Sequence, residues 1–480
     1  MRARLLAPEL KKWWTLAAVA VGLFMIMLDN TVVNVALPSI QRSLHMNIAQ
    51  LEWIVTAYAL TFAAFMLTGG KLADLIGRRR IFVIGLVIFT LSSLVCGLAP
   101  TSSWLIGARA AQGIGAAMMN PATLSIITAT FPPRQRGLAI GIWAGVSAMA
   151  LAIGPLVGGL LTEHVNWNWV FYINVPIGVV GIVVSYLFIE ESRDTSHEQR
   201  LDLPGLVTSG AGLFAFTYAL IESNQYGWTS PRILAAFVAA FVLLSLFVLL
   251  ERRQRLPMLD LSLFRNGTFT GANTATLFVG LAMFGVFFYV SLFMQQVLLY
   301  SPVEAGATFL PMTILVILVA PAAGKISDRF GSRWLVGIGL TLVAGSLLVY
   351  ARLDASSGFW DILPGLILGG FGMAMTMTPT TAAAMGSVPV DKAGVGSAVL
   401  NSMRQVGGSL GIAIMGAVVA HVMSGQLAGG HPRPEAFTAG FHDALHLAAI
   451  FALIGAIIGA ATLKNVRHGD APARAQLEGA

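Results

Sequence analysis

The sequence predicts an all-helical protein that crosses a membrane many times, laid out as six helices, an inserted pair and six more. Three observations predict it. Of 480 residues, 56% are hydrophobic and only 11% charged, against about 25% charged in a soluble domain. Fourteen apolar runs reach the roughly 20 residues that a spanning helix needs, at 14–37, 51–71, 81–99, 103–130, 137–161, 169–189, 203–222, 232–250, 268–298, 303–323, 333–351, 362–386, 394–422 and 443–463. Finally, the chain repeats itself: Gly70-Lys71-Leu72-Ala73-Asp74-Leu75-Ile76-Gly77-Arg78-Arg79-Arg80 follows the second run, and Gly324-Lys325-Ile326-Ser327-Asp328-Arg329-Phe330-Gly331-Ser332-Arg333-Trp334 follows the tenth. These observations divide the chain into a first bundle over 1–200, an inserted pair over 201–255, a second bundle over 256–465 and a tail over 466–480.

Loop charge sets the orientation, because Lys and Arg concentrate on the cytoplasmic side. With both termini inside, Arg42, Arg232, Arg352 and Arg433 fall in outer loops and Arg109 and Arg404 within spans, while every other Lys and Arg is cytoplasmic. A miscount by one helix inverts the later loops and destroys this bias. The net charge of +7 is thus spread over loops and forms no patch for nucleic acid. The first run is too long for the apolar core of a secretion signal and reads as an uncleaved span. Cys96 is the single cysteine, which excludes an intramolecular disulfide.

Span 1 carries Asp29 with apolar residues on either side. A charge near the centre of a membrane helix costs about 2.5–3.5 kcal/mol even on the mildest scale, so it faces a bundle interior or a wet cavity. After span 2, Gly70 and Gly77 permit tight turns, while Asp74 and Arg78 are spaced for an ion pair, echoed at Asp328. Arg109 in span 4 lies roughly 10 Å below the outer face and Asp29 roughly 13 Å, at about 1.5 Å per residue. Their heights match. A guanidinium favours the ionised carboxylate and apolar burial the neutral acid, so a balance that changes as two bundles rock takes up a proton on one side and releases it on the other.

Span 5 places Gly141 and Gly145, then Gly154 and Gly158, four residues apart on one helical face with Gly159 beside them, a spacing for close helix approach. Pro155 favours a kink there. Glu222 ends span 7 in the inserted pair, where water reaches it at the rim. Span 9 crowds Phe284, Phe287 and Met283, and span 12 adds Met373, Met375 and Met377; methionines re-pack around varied ligands and aromatic faces attract organic cations. In span 13, Asn401, Arg404 and Gln405 stand near mid-bilayer, as helix–helix glue or as cavity lining. Asn34, Gln112 and Gln295 are further polar candidates for a cavity wall. Ser301-Pro302-Val303-Glu304 is a helix-start signal. His442 and His446 flank Asp443 without a third ligand at metal spacing, so no metal site is read, and none of the eight histidines joins a nucleophile within the spans. The chain reads as no enzyme.

The ordered motifs resemble the fourteen-helix drug:proton antiporter branch of the major facilitator superfamily, the EmrB/QacA type. They are Leu28-Asp29-x-Thr31-x-x-Asn34-Val35-Ala36-Leu37-Pro38, the Gly70–Arg80 loop, Arg109-Ala110-x-Gln112-Gly113-x-Gly115, Gly154-Pro155-x-x-Gly158-Gly159, Asn174-Val175-Pro176-Ile177-Gly178 and Asn401-x-x-Arg404-Gln405-x-Gly407-Gly408. Ala150 stands where the span 5 motif usually has another glycine, and Asn168 where a basic residue is usual. The resemblance implies two pseudo-symmetric halves, a latch at Gly70, Asp74, Gly77, Arg78 and Asp328 that closes the halves to the cytoplasm, and a span 5 motif that marks exporters. It implies proton-coupled export of lipophilic or cationic compounds across a bacterial cytoplasmic membrane, with Asp29 binding proton and drug in alternation and Arg109 tuning it. Export of one endogenous metabolite, lipid or siderophore by the same cycle is the alternative. The expected partners are the substrates, protons and surrounding lipid, and the sequence leaves open whether an envelope adaptor joins them. No cofactor is expected, and the absence of a Gly-x-x-x-x-Gly-Lys-Ser/Thr loop leaves an ion gradient or the substrate's own gradient as the energy source.

Overall fold

The computed structural model describes residues 8–193, 201–254, 257, 259–388 and 393–463; the tail read at 466–480 lies outside them. Among the described residues the chain is helical throughout. The first part holds α1 (Pro8–Leu44), α2 (Ile48–Ile76), α3 (Arg78–Gly97), α4 (Ser102–Thr130), α5 (Pro133–His164), the single turn α6 (Trp169–Tyr172) and α7 (Asn174–Phe188). Next come α8 (Leu203–Tyr226) and α9 (Pro231–Arg253). The last part holds α10 (Gly267–Gln296), α11 (Pro302–Thr308), α12 (Leu310–Phe330), α13 (Ser332–Tyr350), α14 (Phe359–Gly386), α15 (Ala393–Ala428) and α16 (Arg433–Thr462).

Thirteen described helical stretches are long and apolar enough to cross a membrane. Helix α4, at 29 residues, is long enough to span but is not among the thirteen, because Arg109, Gln112 and Asn120 lower its hydropathy. The tenth predicted span is broken into α11 and α12 by Phe309, and the first continues through Pro38 to Leu44. Local signals fix the boundaries. Asn47 and Gln50 form a reciprocal capping box at the start of α2, and Ser301 and Glu304 form the one expected at α11. The repeated loop turns on Gly77 (φ +131°) and Gly331 (φ +87°), a backbone region that a side chain strains.

Packing divides the helices into two bundles. Helix α1 lies against α4, α5 and α7, and α4 against α2 and α3; in the second bundle α10 lies against α14, α15 and α16, and α13 against α14 and α16. The inserted α8 rests on α2 and α15, across the seam between bundles, with α9 outside it. Val238, Phe241 and Leu249 of α9 are exposed, the apolar surface expected of a helix in lipid.

One end of the seam is sealed. Call the end carrying the Gly77 turn the near end and the end where α1 finishes the far end. At the far end, Ser291 Oγ donates to Asn34 O at 3.2 Å, Gln295 to Val35 O at 2.9 Å and Gln296 to Gln41 Oε1 at 2.7 Å. Glu163 of α5 accepts the Val303 N–H at 2.9 Å. Backbones meet here: a Cβ on Gly158 would lie 2.6 Å from Val32 O, and one on Gly159 would strike the Pro302 carbonyl. Gly306 in turn abuts the Pro155 carbonyl. Toward the near end the same helix behaves differently. Nothing lies within 4 Å of a Cβ built on Gly141 or Gly145. The close packing that the sequence predicts at these two glycines is therefore absent: both lie on an exposed face of α5, while its other side stays packed on α4, where Trp143 Nε1 donates to Thr123 Oγ1 at 3.1 Å. The bundles are joined at the far end, while the face of near-end α5 that carries Gly141 and Gly145 has no neighbour among the described residues.

Candidate functional site

Helix α1 presents two faces with different chemistry. Met27, Asn30, Thr31 and Asn34 form one stripe at helical spacing, and all four line a central cavity between the bundles. Asp29, off that stripe by one residue, turns into the first bundle and is fully buried.

The Asp29 carboxylate is enclosed by donors. Arg109 Nη1 pairs with Oδ2, and Oδ1 accepts from Gln112 Nε2 at 2.9 Å and from Asn174 Nδ2 at 3.4 Å. Arg109 is as buried as its partner, at 1% exposure. Its other donors go to Ile54 O at 3.0 Å and Gln112 Oε1 at 2.7 Å, and the Tyr58 ring covers its guanidinium at 4.2 Å. Ser93 Oγ accepts from Asn174 at 3.0 Å and donates to Phe171 O at 2.9 Å. The pair that the sequence brought to one height is thus in contact. Such a pair holds together only while hydrogen bonds satisfy its remaining lone pairs and protons, and α2, α4 and α7 supply them here through Ile54 O, Gln112 and Asn174. Sequence reasoning missed Ser93 and Tyr58 as members, and quoted Asn174 without a role; a serine, a tyrosine and an asparagine in separate spans carry no shared pattern.

Of the predicted cavity residues, Asn34, Asn401, Arg404 and Gln405 line the central cavity with Asn30, Asn120 and the apolar Met283, Phe284, Phe287, Met373 and Met377. Two others lie elsewhere. Gln112 is three residues after Arg109, on the same face, and both of its amide atoms are used in the Asp29 cluster. Gln295 sits near the end of α10, where it bonds Val35 O and borders a far-end vestibule. Arg404 Nε is buried without a hydrogen-bond partner, as is Asn34 Oδ1. Glu222, at the end of α8, is partly buried and accepts the Trp53 indole N–H at 3.0 Å.

The far-end seal contains an acid that sequence reasoning passed over. Glu52 is 2% exposed and takes the Tyr289 hydroxyl at 3.0 Å from across the seam. Gly416 of α15 packs against its carboxylate so closely that a Cβ would collide. It lies only four residues past the start of α2, where an acid ordinarily meets water.

At the near end, Asp74 and Arg78 form the expected pair at 3.1 Å, and Arg78 also reaches Ser125 O at 3.5 Å. Both partners belong to the first bundle. Glu191, unnoticed in the sequence, accepts the N–H groups of Arg79 and Arg80 at 3.1 and 3.3 Å, capping the start of α3. Lys11 beside Glu190 holds that carboxyl below the usual carboxylate range. Asp328 occupies the matching place in α12; its side chain lies outside the described set. Gly154 packs on Thr31, and Gly158 and Gly159 on Val32 and Pro302, so this motif wedges α5 between α1 and α11.

Comparison with known proteins follows the same lines. The chain is 39% identical over 415 residues to the multidrug resistance protein Stp of Mycobacterium tuberculosis, covering 86% of this chain and 77% of that one. It is 36% identical over 410 residues to the tetracenomycin C resistance and export protein of Streptomyces glaucescens, covering 85% and 76%. To the methylenomycin A resistance protein of Streptomyces coelicolor it is 38% identical over 407 residues, covering 84% and 85%. Among solved structures, a bacterial homologue of the lysosomal transporter Spinster matches with a TM-score of 0.67 at 20% identity, over 95% of this chain and 97% of that one. A peptide transporter matches at 0.68 and 14%, over 94% and 95%. The family model that describes the Major Facilitator Superfamily matches residues 19–412. By sequence and by fold, this multi-pass cell membrane protein belongs to the Major Facilitator Superfamily.

Proposed function

We propose that the chain is a proton-coupled antiporter that exports lipophilic, drug-like compounds by alternating access. The relatives' names, which speak of multidrug resistance and of resistance and export, support the export of small molecules. The observation that carries the coupling is the division of labour on α1. One rigid helix bears Asp29 on its inner face, the cavity residues Asn30, Thr31 and Asn34 on the next, and the far-end contacts at Asn34 O, Val35 O and Gln41 at its tip.

The mechanism follows from that division. With the Lys- and Arg-rich near end in the cytoplasm, the far-end seal supports reading this as a state closed to the outside, in which cargo enters from within. Protonation of Asp29 removes the charge that Arg109 holds, so the inner face of α1 loses its anchor to α4. Any shift of α1 is transmitted to the cavity stripe and to the far-end seal, because a helix moves as a unit. Cargo and proton compete through the position of α1, with no need for both to touch one group. The glycine wedge of α5 gives the hinge line on which the bundles rock. Arg78 of the latch bonds Asp74 and Ser125 O, and in the opposite state the latch engages the second bundle.

The cavity lining supports lipophilic cargo directly, since Met and Phe side chains dominate its apolar part. The cationic half of the sequence expectation has no carboxylate on that wall. The test is uptake into everted membrane vesicles of a panel of unrelated lipophilic compounds under an imposed pH gradient. Accumulation that collapses with the gradient and is lost in Asp29→Asn is the expected result; accumulation that survives both contradicts the proposal.

A further inference from the structure

The central cavity has one full charge on its wall, and that charge is positive. Arg404 projects from α15 among the amides of Asn30, Asn34, Asn401 and Gln405. Its Nε is buried without a partner, and no ion pair to it occurs among the described residues. The acids within reach of the seam are already committed. Asp29 faces the other way with both oxygens taken, Glu52 is bonded to Tyr289 and Glu222 to Trp53.

Arg404 is half-buried, and a guanidinium whose Nε is sealed from water without a partner carries a cost that an acceptor beside it removes. An organic cation entering this cavity adds a second positive charge beside the first. An anion or an acidic oxygen supplies the missing partner. We propose that the cavity selects oxygen-rich aromatic anions, such as phenolates, enolates and carboxylates, and that Arg404 is the residue that selects them. The planar guanidinium fork engages a carboxylate or two adjacent oxygens at once. Asn34, Asn401 and Gln405 donate to further carbonyls, and Met283, Phe287 and Met377 adapt to the ring system. The chemistry differs from the lipophilic cations that the sequence alone suggests. The assignment rests on the reading of the cavity as the cargo site.

Two xanthene dyes share a ring system and differ in charge, fluorescein as an anion and rhodamine 6G as a cation. Their binding is measured by fluorescence anisotropy on the full chain in nanodiscs of zwitterionic lipid, so that the lipid charge does not sort the dyes. Fluorescein is expected to bind at least tenfold more tightly than rhodamine 6G. Arg404→Gln is expected to weaken fluorescein about tenfold or more, the scale of a charged hydrogen bond. Arg404→Lys retains part of the affinity, and Arg404→Glu reverses the preference between the dyes; monodisperse elution of each variant shows that it is folded. Equal or tighter binding of rhodamine 6G to the wild type, no binding of fluorescein, or an unchanged fluorescein affinity in Arg404→Gln overturns the assignment. Fluorescein binding that depends on Arg404 without pH-driven uptake into vesicles upholds the assignment and contradicts the antiporter reading, so the two fail separately.

Discussion

Asn at position 29 keeps the shape of the aspartate but removes its charge, and the structure sets what that does. Arg109 is left as a cation at 1% exposure, still bonded to Ile54 O and Gln112 Oε1 and covered by Tyr58. Breaking a buried pair by removing one partner costs about 3–5 kcal/mol. Because Arg109 keeps two acceptors and an aromatic face, we expect the lower part of that range, about 3 kcal/mol. Arg109→Gln strands Asp29 in the same way, with Gln112 and Asn174 still donating, and the same cost of about 3 kcal/mol is expected. The double variant has no charge to strand. It leaves an amide network of Gln112, Asn174 and Ser93 around two new amides, so its cost stays near that of either single variant. The expected coupling is thus about 2–3 kcal/mol, at the upper end for residues in contact. Equilibrium unfolding of the four proteins in mixed detergent and SDS micelles, followed by tryptophan fluorescence, reads the cycle. Additivity to within about 0.5 kcal/mol, the behaviour of independent sites, refutes the claim that the two side chains act as one closed pair.

Three other outcomes follow from the geometry. Gly159→Val forces a side chain into the Pro302 carbonyl; overpacking of this kind costs about 1–3 kcal/mol, so the far end opens, and a cysteine placed at Gln296 reacts faster with an impermeant maleimide from outside. Tyr289→Phe removes the hydroxyl that Glu52 accepts and should lower stability by about 1–3 kcal/mol, whereas Glu52→Met with Tyr289→Phe recovers most of the loss in the same unfolding assay. Glu191→Ala uncaps α3 at Arg79 and Arg80, and a loss of about 0.5–2 kcal/mol is expected, largely insensitive to salt because most of it is backbone capping.

The spans were legible because apolar runs and loop charge are linear properties of a chain. Asp29 and Arg109 were legible for a related reason: depth along a helix is a count of residues, and two charges at one depth inside a bundle meet. Direction around the helix is harder to read. Gln112 was assigned to the cavity although its i+3 relation to Arg109 already put it on the Arg109 face. Asn34 and Asp29 share α1 yet serve different surfaces, which only the packing of α4 and α5 decides. Glu52 was hidden by its closeness to the start of α2, where an acid ordinarily meets water; here α10 and α15 of the other bundle cover it. Gly141 and Gly145 have the same spacing as Gly154 and Gly158, but the nine residues from Gly145 to Gly154 make about two and a half turns at roughly 3.6 residues per turn, so the two pairs point to different sides of α5 and only the second is packed. A sequence has no conformation, so features that belong to one state of a moving protein are absent from it.

The account turns on Asp29 as the proton site, and acid-loaded proteoliposomes address it most directly. Protein is reconstituted with an internal pH dye, fluorescein-class and rhodamine-class compounds are added one at a time, and substrate-triggered loss of internal protons is followed for wild type and Asp29→Asn. The account predicts proton release in the wild type and none in the variant, with both proteins inserted to the same extent. Release that persists undiminished in Asp29→Asn contradicts it, and places the coupling proton on another group.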